Sequence, residues 1–283
     1  MFHRIQNLDP RYYQITILSL LLFYGFFILH FDLTFFQILI SLSTVLFTQF
    51  LFSKILKMNF DFKSPLISGL SLCLLLRSNE MLFIFLGGLL AIASKFIIKD
   101  QGKHFLNPTN FGIVLMILCT EKVWVSPGQW GNVAFFAFFM ACLGGLVINR
   151  AARSDVTYAF ILFYLCFLFG RSFYLGEPLS IPLHRLESGA LLLFTFFMIS
   201  DPRATPNARK GRILFSFLVA ALAWYIQFRL FRTNALLWSL FLCSFLIPFI
   251  DRLFVGKPYQ WKGNAHEKNT ASLELSQFQP SHL

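Results

Sequence analysis

Two stretches of this chain put polar, ligand-competent residues at breaks in apolar sequence. The first is Lys103-His104-Phe105-Leu106-Asn107-Pro108-Thr109-Asn110. Asn107 reads as a helix N-cap and Pro108 as the first helical position. A helix start offers unpaired N–H groups and a positive dipole end, which suit an anionic or carbonyl-rich ligand. Lys103 and His104 stand just upstream. The same residues serve equally as a plain capped start with cations reaching for the interface. The second stretch carries Ser200-Asp201-Pro202-Arg203, Thr205 and Arg209-Lys210-Gly211-Arg212. Asp201-Pro202 ends one helix and can cap a turn. Ion pairing of Asp201 with Arg203 or Arg212 is one account of it; gating or ligand binding is the other. Arg209, Lys210 and Arg212 together read as a basic membrane anchor.

A third pair of sites is Ser68-Gly69 and Ser188-Gly189. Glycine allows close backbone approach and serine can bond across helices, so tight packing and ligand contact both fit. Glu187, beside the second pair, needs a partner on entering a span, and His184 or Arg185 can supply one. These pairs also expose a faint internal repeat. Leu66-Ile67-Ser68-Gly69-Leu70 returns 120 residues later as Leu186-Glu187-Ser188-Gly189-Ala190, and Leu106–Asn110 returns 124 residues later as Leu230–Asn234. Broken apolar segments at matching places in two halves are the mark of an inverted-repeat membrane fold.

The elements that position these residues are apolar. Hydrophobic residues make up 57% and charged residues 13% of 283, about half the charge of a soluble domain. Continuous apolar runs without period-2 alternation predict helices rather than a barrel. Ten segments follow: Ile15–Leu29, Thr34–Phe52, Pro65–Leu76, Met81–Ile98, Phe111–Cys119, Asn132–Ile148, Val156–Gly170, Ser188–Ser200, Ile213–Phe228 and Ala235–Ile250. The third, fifth and eighth are too short to cross alone. The first lacks a small-x-small cleavage site and reads as a retained span.

Alternating the loops from the N-terminus puts 18 of the 24 Lys and Arg on one side and 6 on the other. This predicts ten spans with both termini cytoplasmic in the inner membrane. It also accounts for the net charge of +11 without nucleic acid. Five spans per half is odd, so the halves must be inverted. The reading is an all-α polytopic membrane protein of two five-helix repeats, 1–130 and 131–255, with a disordered tail over 256–283. The five cysteines lie in apolar runs with no C-x-x-C and read as packing residues. No metal set, P-loop or nucleophile elbow is present, and no self-contained catalytic site is written here.

Taken together, these motifs resemble the NqrB/RnfD family, membrane subunits of the sodium-pumping NADH:quinone oxidoreductase and of Rnf electron-transport complexes. The likeness runs from about Gln37 to Trp261. It is strongest over His184–Ala190, Phe197–Pro202 and Gly211-Arg212, with Asn107-Pro108 and Pro248-Phe249-Ile250-Asp251 in the same order as in the family. The resemblance implies a ten-helix inverted-repeat core holding flavin, riboflavin or FMN, among other membrane redox subunits. Cations or N–H groups would stand near the pole of the isoalloxazine that becomes negative on reduction. Carried onto this chain, the cofactor-binding set is Lys103, His104, Asn107, Pro108, Thr109, Asn110, Ser188, Gly189, Asp201, Thr205 and Arg212.

One departure shapes the expectation. Family members carry a long loop after the fifth segment, whose Ala-Thr sequence bears FMN through a phosphoester. Here Thr120–Gly131 has no Ala-Thr, and Ser188-Gly189-Ala190 is followed by Leu191. Flavin is therefore expected to be non-covalent. A stand-alone transporter or channel for a small solute or flavin on the same fold is the second reading. A ligand-free scaffold subunit is the third.

Overall fold

The structure is a computed structural model, and it describes residues 9–126, 154–186 and 188–259. Nearly all regular structure is helical. The first half contains α1 (Pro10–Phe27), α2 (Phe35–Ile55), α3 (Lys63–Leu75), α4 (Met81–Ile97) and α5 (Pro108–Cys119). The second contains α6 (Ser154–Leu175), α7 (Ser180–Leu186), α8 (Gly189–Leu193), α9 (Arg209–Phe228), α10 (Ala235–Ser244) and α11 (Ile247–Leu253). Helix α8 continues as a π-helical turn over Phe194–Met198. Four short strands complete the described set: β1 (Leu76–Ser78), β2 (Lys99–Asp100), β3 (Lys103–His104) and β4 (Val123–Val125).

The ladders and ion pairs sort the helix termini into two ends. At the basic end, Arg11 pairs with Asp61, Lys95 reaches Ser64, Lys103 reaches Asp251, and Arg212 pairs with Asp155. At the far end, β1 pairs with β4, Gln37 donates to the Ser78 carbonyl, and Lys122 pairs with Glu80. Helix α3 runs from the basic end to the far end, whereas α8 runs from the Ser188 cleft at the far end back to Asp201. Helices α4 and α9 run in opposite directions, as do α5 and α10. The packing order repeats as well: α2 on α4 on α5 in one half, α6 on α9 on α10 in the other. The repeat seen in sequence is thus inverted in space.

Nine of the ten apolar segments coincide with described helices. The sixth, Asn132–Ile148, lies outside the described residues, as do the half boundary at 130/131, Glu187, Cys142 and the tail from residue 260. Among the described residues three helices, α2, α6 and α9, are long and apolar enough to cross a membrane alone. Helices α10 and α11 meet at a 51° bend and make a fourth if counted as one span. Helices α3, α4, α5 and the Gly189–Met198 helix are apolar but shorter. The third, fifth and eighth segments are thus among the shorter helices, as their lengths predict, and this mixture of long helices with shorter or broken ones is the form broken-helix membrane folds take.

Lipid as solvent explains the burial pattern. Phe35, Phe36 and Phe47 of α2 face outward, while its Gln37, Ser41, Thr44, Thr48, Gln49 and Ser53 are buried. Helix α2 begins in a full capping box, with Thr34 and Gln37 each bonding the other's backbone N–H. Helices α4 and α5 approach so closely at Gly112 that an added Cβ would stand 2.6 Å from the Gly87 carbonyl oxygen and 2.9 Å from the Ala91 Cβ. A backbone carbonyl cannot swing aside as a side chain can. Gly112→Ala is expected to destabilise the protein by about 1–3 kcal/mol through overpacking. Thermal unfolding in detergent reads the effect, and an unchanged midpoint would refute this account of the contact.

Candidate functional site

At the basic end the two halves meet on polar side chains. Asn107 caps α5 through its Oδ1, which accepts the Asn110 N–H at 3.0 Å, and Pro108 is the first helical residue. Its Nδ2 turns the other way, donating to the Met198 carbonyl at 3.3 Å and to Asp201 Oδ2 at 3.4 Å. Thr109 donates to the Ser68 carbonyl and Asn110 to the Leu237 carbonyl. The Asn110 Oδ1 is buried with no hydrogen-bond partner among the described residues. Thus the capped start is real, and the same asparagine also bridges to the Asp-Pro loop.

That loop is held from the first half by Lys103. Its ammonium donates to the Thr205 carbonyl at 2.6 Å, Asn207 Oδ1 at 3.1 Å and Asp251 Oδ2 at 2.8 Å. Asp251 in turn accepts the Asn207 backbone and side-chain N–H groups. Arg212 forms its ion pair with Asp155 at 2.6 Å and donates to the Asn207 carbonyl. Asp201 pairs with neither Arg203 nor Arg212 in a salt bridge; its Oδ1 accepts the Arg203 backbone N–H at 3.1 Å. A turn cap is therefore what Asp201 makes. Burial pushes its carboxyl above the ordinary range. Burial, followed by the cations Lys95 and Arg203, pulls the His104 imidazole well below its ordinary value. His104, Asn107, Pro108, Thr109 and Asp201 line a polar cavity of about 50 Å³, together with Ser64, Ser68 and Arg11.

Ser188 stands elsewhere. It occupies the N-cap position of α8 at the far end and lines a cleft of about 300 Å³ with Tyr164, Phe194, Gln227, Arg232 and Asn234. The hydroxyl of Tyr164 lies 3.1 Å from Gln227 Oε1. Arg185, also on the cleft, stacks over the Phe228 ring at 4.9 Å. Asn234 adopts the left-handed conformation (φ 58°) and its side chain does not cap α10. Gly189 opens α8 and is buried. The eleven residues expected to form one site thus divide between the two ends: Lys103 to Asn110, Asp201, Thr205 and Arg212 at one, Ser188 and Gly189 at the other.

This far-end cleft falls within the stretch that has recognised relatives. Residues 123–260 match the NQR2, RnfD, RnfE family. The chain is 33% identical over 127 residues to the RnfD subunit of the ion-translocating oxidoreductase complex of Erwinia tasmaniensis, covering 44% of this chain and 34% of the relative. It is 29% identical over 126 residues to the subunit of the same description in Citrobacter koseri and 30% identical over 126 residues to that of Escherichia coli K12, with the same coverage. The matched stretch spans about a third of the length of these curated relatives. Asp201, Thr205, Arg212, Ser188 and Gly189 lie inside the family match; Lys103 to Asn110 lie before it.

Other residues that the sequence does not single out also belong here. Lys95 falls among the loop cations of the charge count, yet its amine is buried between Gln49 and Ser64. Its place inside Ala93-Ser94-Lys95-Phe96, an apolar run, is the available signal. The Asp9–Arg11–Asp61–Lys63 cluster has no periodic signature at all. Among the described residues no group of His, Cys, Asp and Glu could hold a metal ion, and Cys73, Cys119, Cys166 and Cys243 are free thiols.

Two outcomes follow from this geometry. Lys103→Met leaves Asp251 partly buried without its cation, and should cost about 3 kcal/mol, read as a lowered unfolding midpoint in detergent; a loss no greater than that of an exposed lysine would sink the junction. Separately, the folded chain keeps His104 neutral while the unfolded imidazole takes up a proton below its ordinary value of 6.5. Stability is therefore lost as pH falls through that value. Asp201, raised, acts in the opposite sense from 3.8 upward. The midpoint should fall between roughly pH 7 and 5.5 and fall less in His104→Gln; parallel curves would refute it.

Proposed function

We propose that this chain acts as a membrane subunit of an ion-translocating electron-transfer complex and that it binds a flavin, riboflavin or FMN, without a covalent link. The family match and the relatives' descriptions support the first part. The observation that carries the second is the cleft of about 300 Å³ between the N-caps of α8 and α10. Cavities for ligands of this size begin near roughly 300 Å³. The basic-end cavity, at about 50 Å³, has room for water but not for an isoalloxazine. The flavin is accordingly assigned to the Ser188 side rather than to the basic end.

The cleft's residues suit such a group. Tyr164 and Phe194 offer apolar faces, and Ser188, Gln227 and Asn234 offer hydrogen bonds. Arg185 and Arg232 supply positive charge near a group that gains electrons. A bound flavin would supply reversible one- and two-electron transfer. Lys103, Asn107, Asp201, Thr205 and Arg212 have a different task in this reading: they fix the Asp-Pro loop and so the π-helical turn on which Phe194 and Met198 reach the cleft. The basic end faces the cytoplasm of the inner membrane, as the charge bias favours. Other membrane redox subunits are the proposed partners.

The test is the visible spectrum of the purified chain before and after acid precipitation. Flavin absorbance released to the supernatant is the expected result. Absorbance kept in the pellet overturns the non-covalent assignment, and a colourless, folded protein overturns the flavin. Arg232→Ala and Asn234→Ala should lower the flavin-to-protein ratio more than Thr109→Ala does, and the reverse order would move the site to the basic end.

A further inference from the structure

Helices α6 and α9 start together at the basic end, where Asp155 pairs with Arg212, and run side by side to the far end. Over their last turns they enclose a groove of about 550 Å³. Its floor is aromatic: the Trp224 indole neighbours Phe167 and Phe228, with ring centroids 6.2 and 6.1 Å away. Gly170 interrupts the α6 wall, and a Cβ added there would meet nothing within 4 Å. Cys166, Gly170, Tyr174 and Leu175 are exposed, so the groove opens sideways, away from the core. From Cys166 to Leu175 it follows α6 for about 14 Å at the helical rise, close to one leaflet of a hydrocarbon core roughly 30 Å thick. The matching helix pair of the first half is closed instead. There Phe52 of α2 stacks on Phe96 of α4, with centroids 4.9 Å apart and planes 5° from parallel.

The rim of the groove is cationic. Arg171 and Arg229 line it, and Arg171 and Arg185 both approach the Phe228 ring, their guanidinium carbons 4.3 and 4.9 Å from its centroid. Glu177 offsets Arg171 through an ion pair of 2.6 Å. Arg229 is exposed and enters none of the salt bridges formed among the described residues. The Trp224 indole N–H is buried with no acceptor among the described residues, and a donor left so costs free energy until one is supplied. Arginine, tryptophan and tyrosine at the end of an apolar helix are the side chains that sit at headgroup level. Apart from Tyr174, the lining offers no amide or hydroxyl side chain. It therefore suits an apolar chain with a charged head and not the hydrogen-bonding edge of an isoalloxazine.

We propose that this groove seats an anionic phospholipid of the far leaflet, with its phosphate on Arg229 and one acyl chain along Gly170 and Cys166. The layout fixes the orientation: the cations stand at the helix ends, and the apolar stretch leads inward to Cys166. A guanidinium presents paired donors that match a phosphate. With Arg171 offset by Glu177, the unmatched positive charge at the rim is that of Arg229 and Arg185. A headgroup of net negative charge, such as that of phosphatidylglycerol, completes it, whereas phosphatidylcholine brings a cation of its own. A glycerol ester carbonyl at this depth is an acceptor of the kind Trp224 lacks. Phe228 also carries Arg185, which lines the far-end cleft, so an occupied groove holds one wall of that cleft from behind. The proposal rests on the membrane-spanning architecture and not on the flavin.

The test is alkylation of the Cys166 thiol by N-ethylmaleimide in the full chain, stripped of lipid in mild detergent and read by peptide mass spectrometry. Cys119, exposed at the end of α5, is the internal reference. Dioleoyl phosphatidylglycerol at about four times its dissociation constant should slow Cys166 about fivefold and leave Cys119 unchanged. The same concentration of dioleoyl phosphatidylcholine should change neither. Arg229→Gln should remove the difference between the two lipids, and Arg252→Gln, beside Asp100 at the basic end, should keep it. Gly170→Phe, which fills open space, should leave Cys166 indifferent to both. Elution as a single species checks folding. No protection by either lipid overturns the seat, and equal protection by both overturns the anionic headgroup. A loss in Arg252→Gln as large as in Arg229→Gln overturns the place of the phosphate. Slow Cys166 alkylation in the lipid-stripped chain, alone or with a second membrane protein, would show protein already in the groove and overturn the lipid.

Discussion

Lys103 is where the two halves are held in register. It rises from the β2–β3 hairpin of the first half and ends among a carbonyl, an amide and a carboxylate of the second. A cation withdrawn from water costs free energy that only close partners offset, so its position admits little play. By fixing Thr205 and Asn207 it fixes the whole loop that begins at Asp201. By fixing the loop it sets where the π-helical turn ends, and hence where Met198 meets Asn107. Asp251 completes the arrangement from the chain's last described helix. The residues that looked most like ligand contacts in this region are therefore tied into structure first.

The inverted repeat gives two similar helix starts different fates. At α5, Pro108 presets the helical backbone and Asn107 folds its carbonyl oxygen back onto the Asn110 N–H. At α10 the first helical residue is Ala235, and Asn234 enters the left-handed region without capping the helix. The first start is filled by its own cap and by contacts with Met198 and Asp201, leaving about 50 Å³. The second opens on a cleft about six times larger. One proline and one cap account for much of that difference, because a helix start without its own cap leaves backbone N–H groups for something else to satisfy.

Much of this is legible in the chain alone. The Asn107 cap, Pro108 at the helix start, the short segments at Ser68 and Ser188, and the inversion all follow from local chemistry and charge counting. What sequence does not show is the pairings. Arg212 takes Asp155, 57 positions away, rather than Asp201, 11 positions away. No periodicity announces such a choice; it depends on α6 and α9 lying side by side. The buried polar residues of α2 are hidden for a different reason. Its phenylalanines and leucines face lipid and dominate the mean hydropathy, so the segment reads as uniformly apolar. Lys95 is obscured in the same way, by lying one turn from a helix end.

The basic-end cavity and the cleft lie at opposite ends, and the contact between α5 and α10 lies between them. Asn110 spans that contact. Its Nδ2 holds the Leu237 carbonyl, in the first turn of the helix that opens the cleft, and its neighbour Thr109 holds Ser68 of α3, one turn from Ser64 and Lys95. Each bond joins a short, buried side chain to a backbone carbonyl, so a displacement of either helix start is felt by the other. Closely packed elements transmit small shifts of this kind because their interiors have little free volume. An arrangement in which each helix start is gripped by the opposite half makes the two starts parts of one junction, and any ligand that orders α10 also orders the carbonyl on which Asn110 rests.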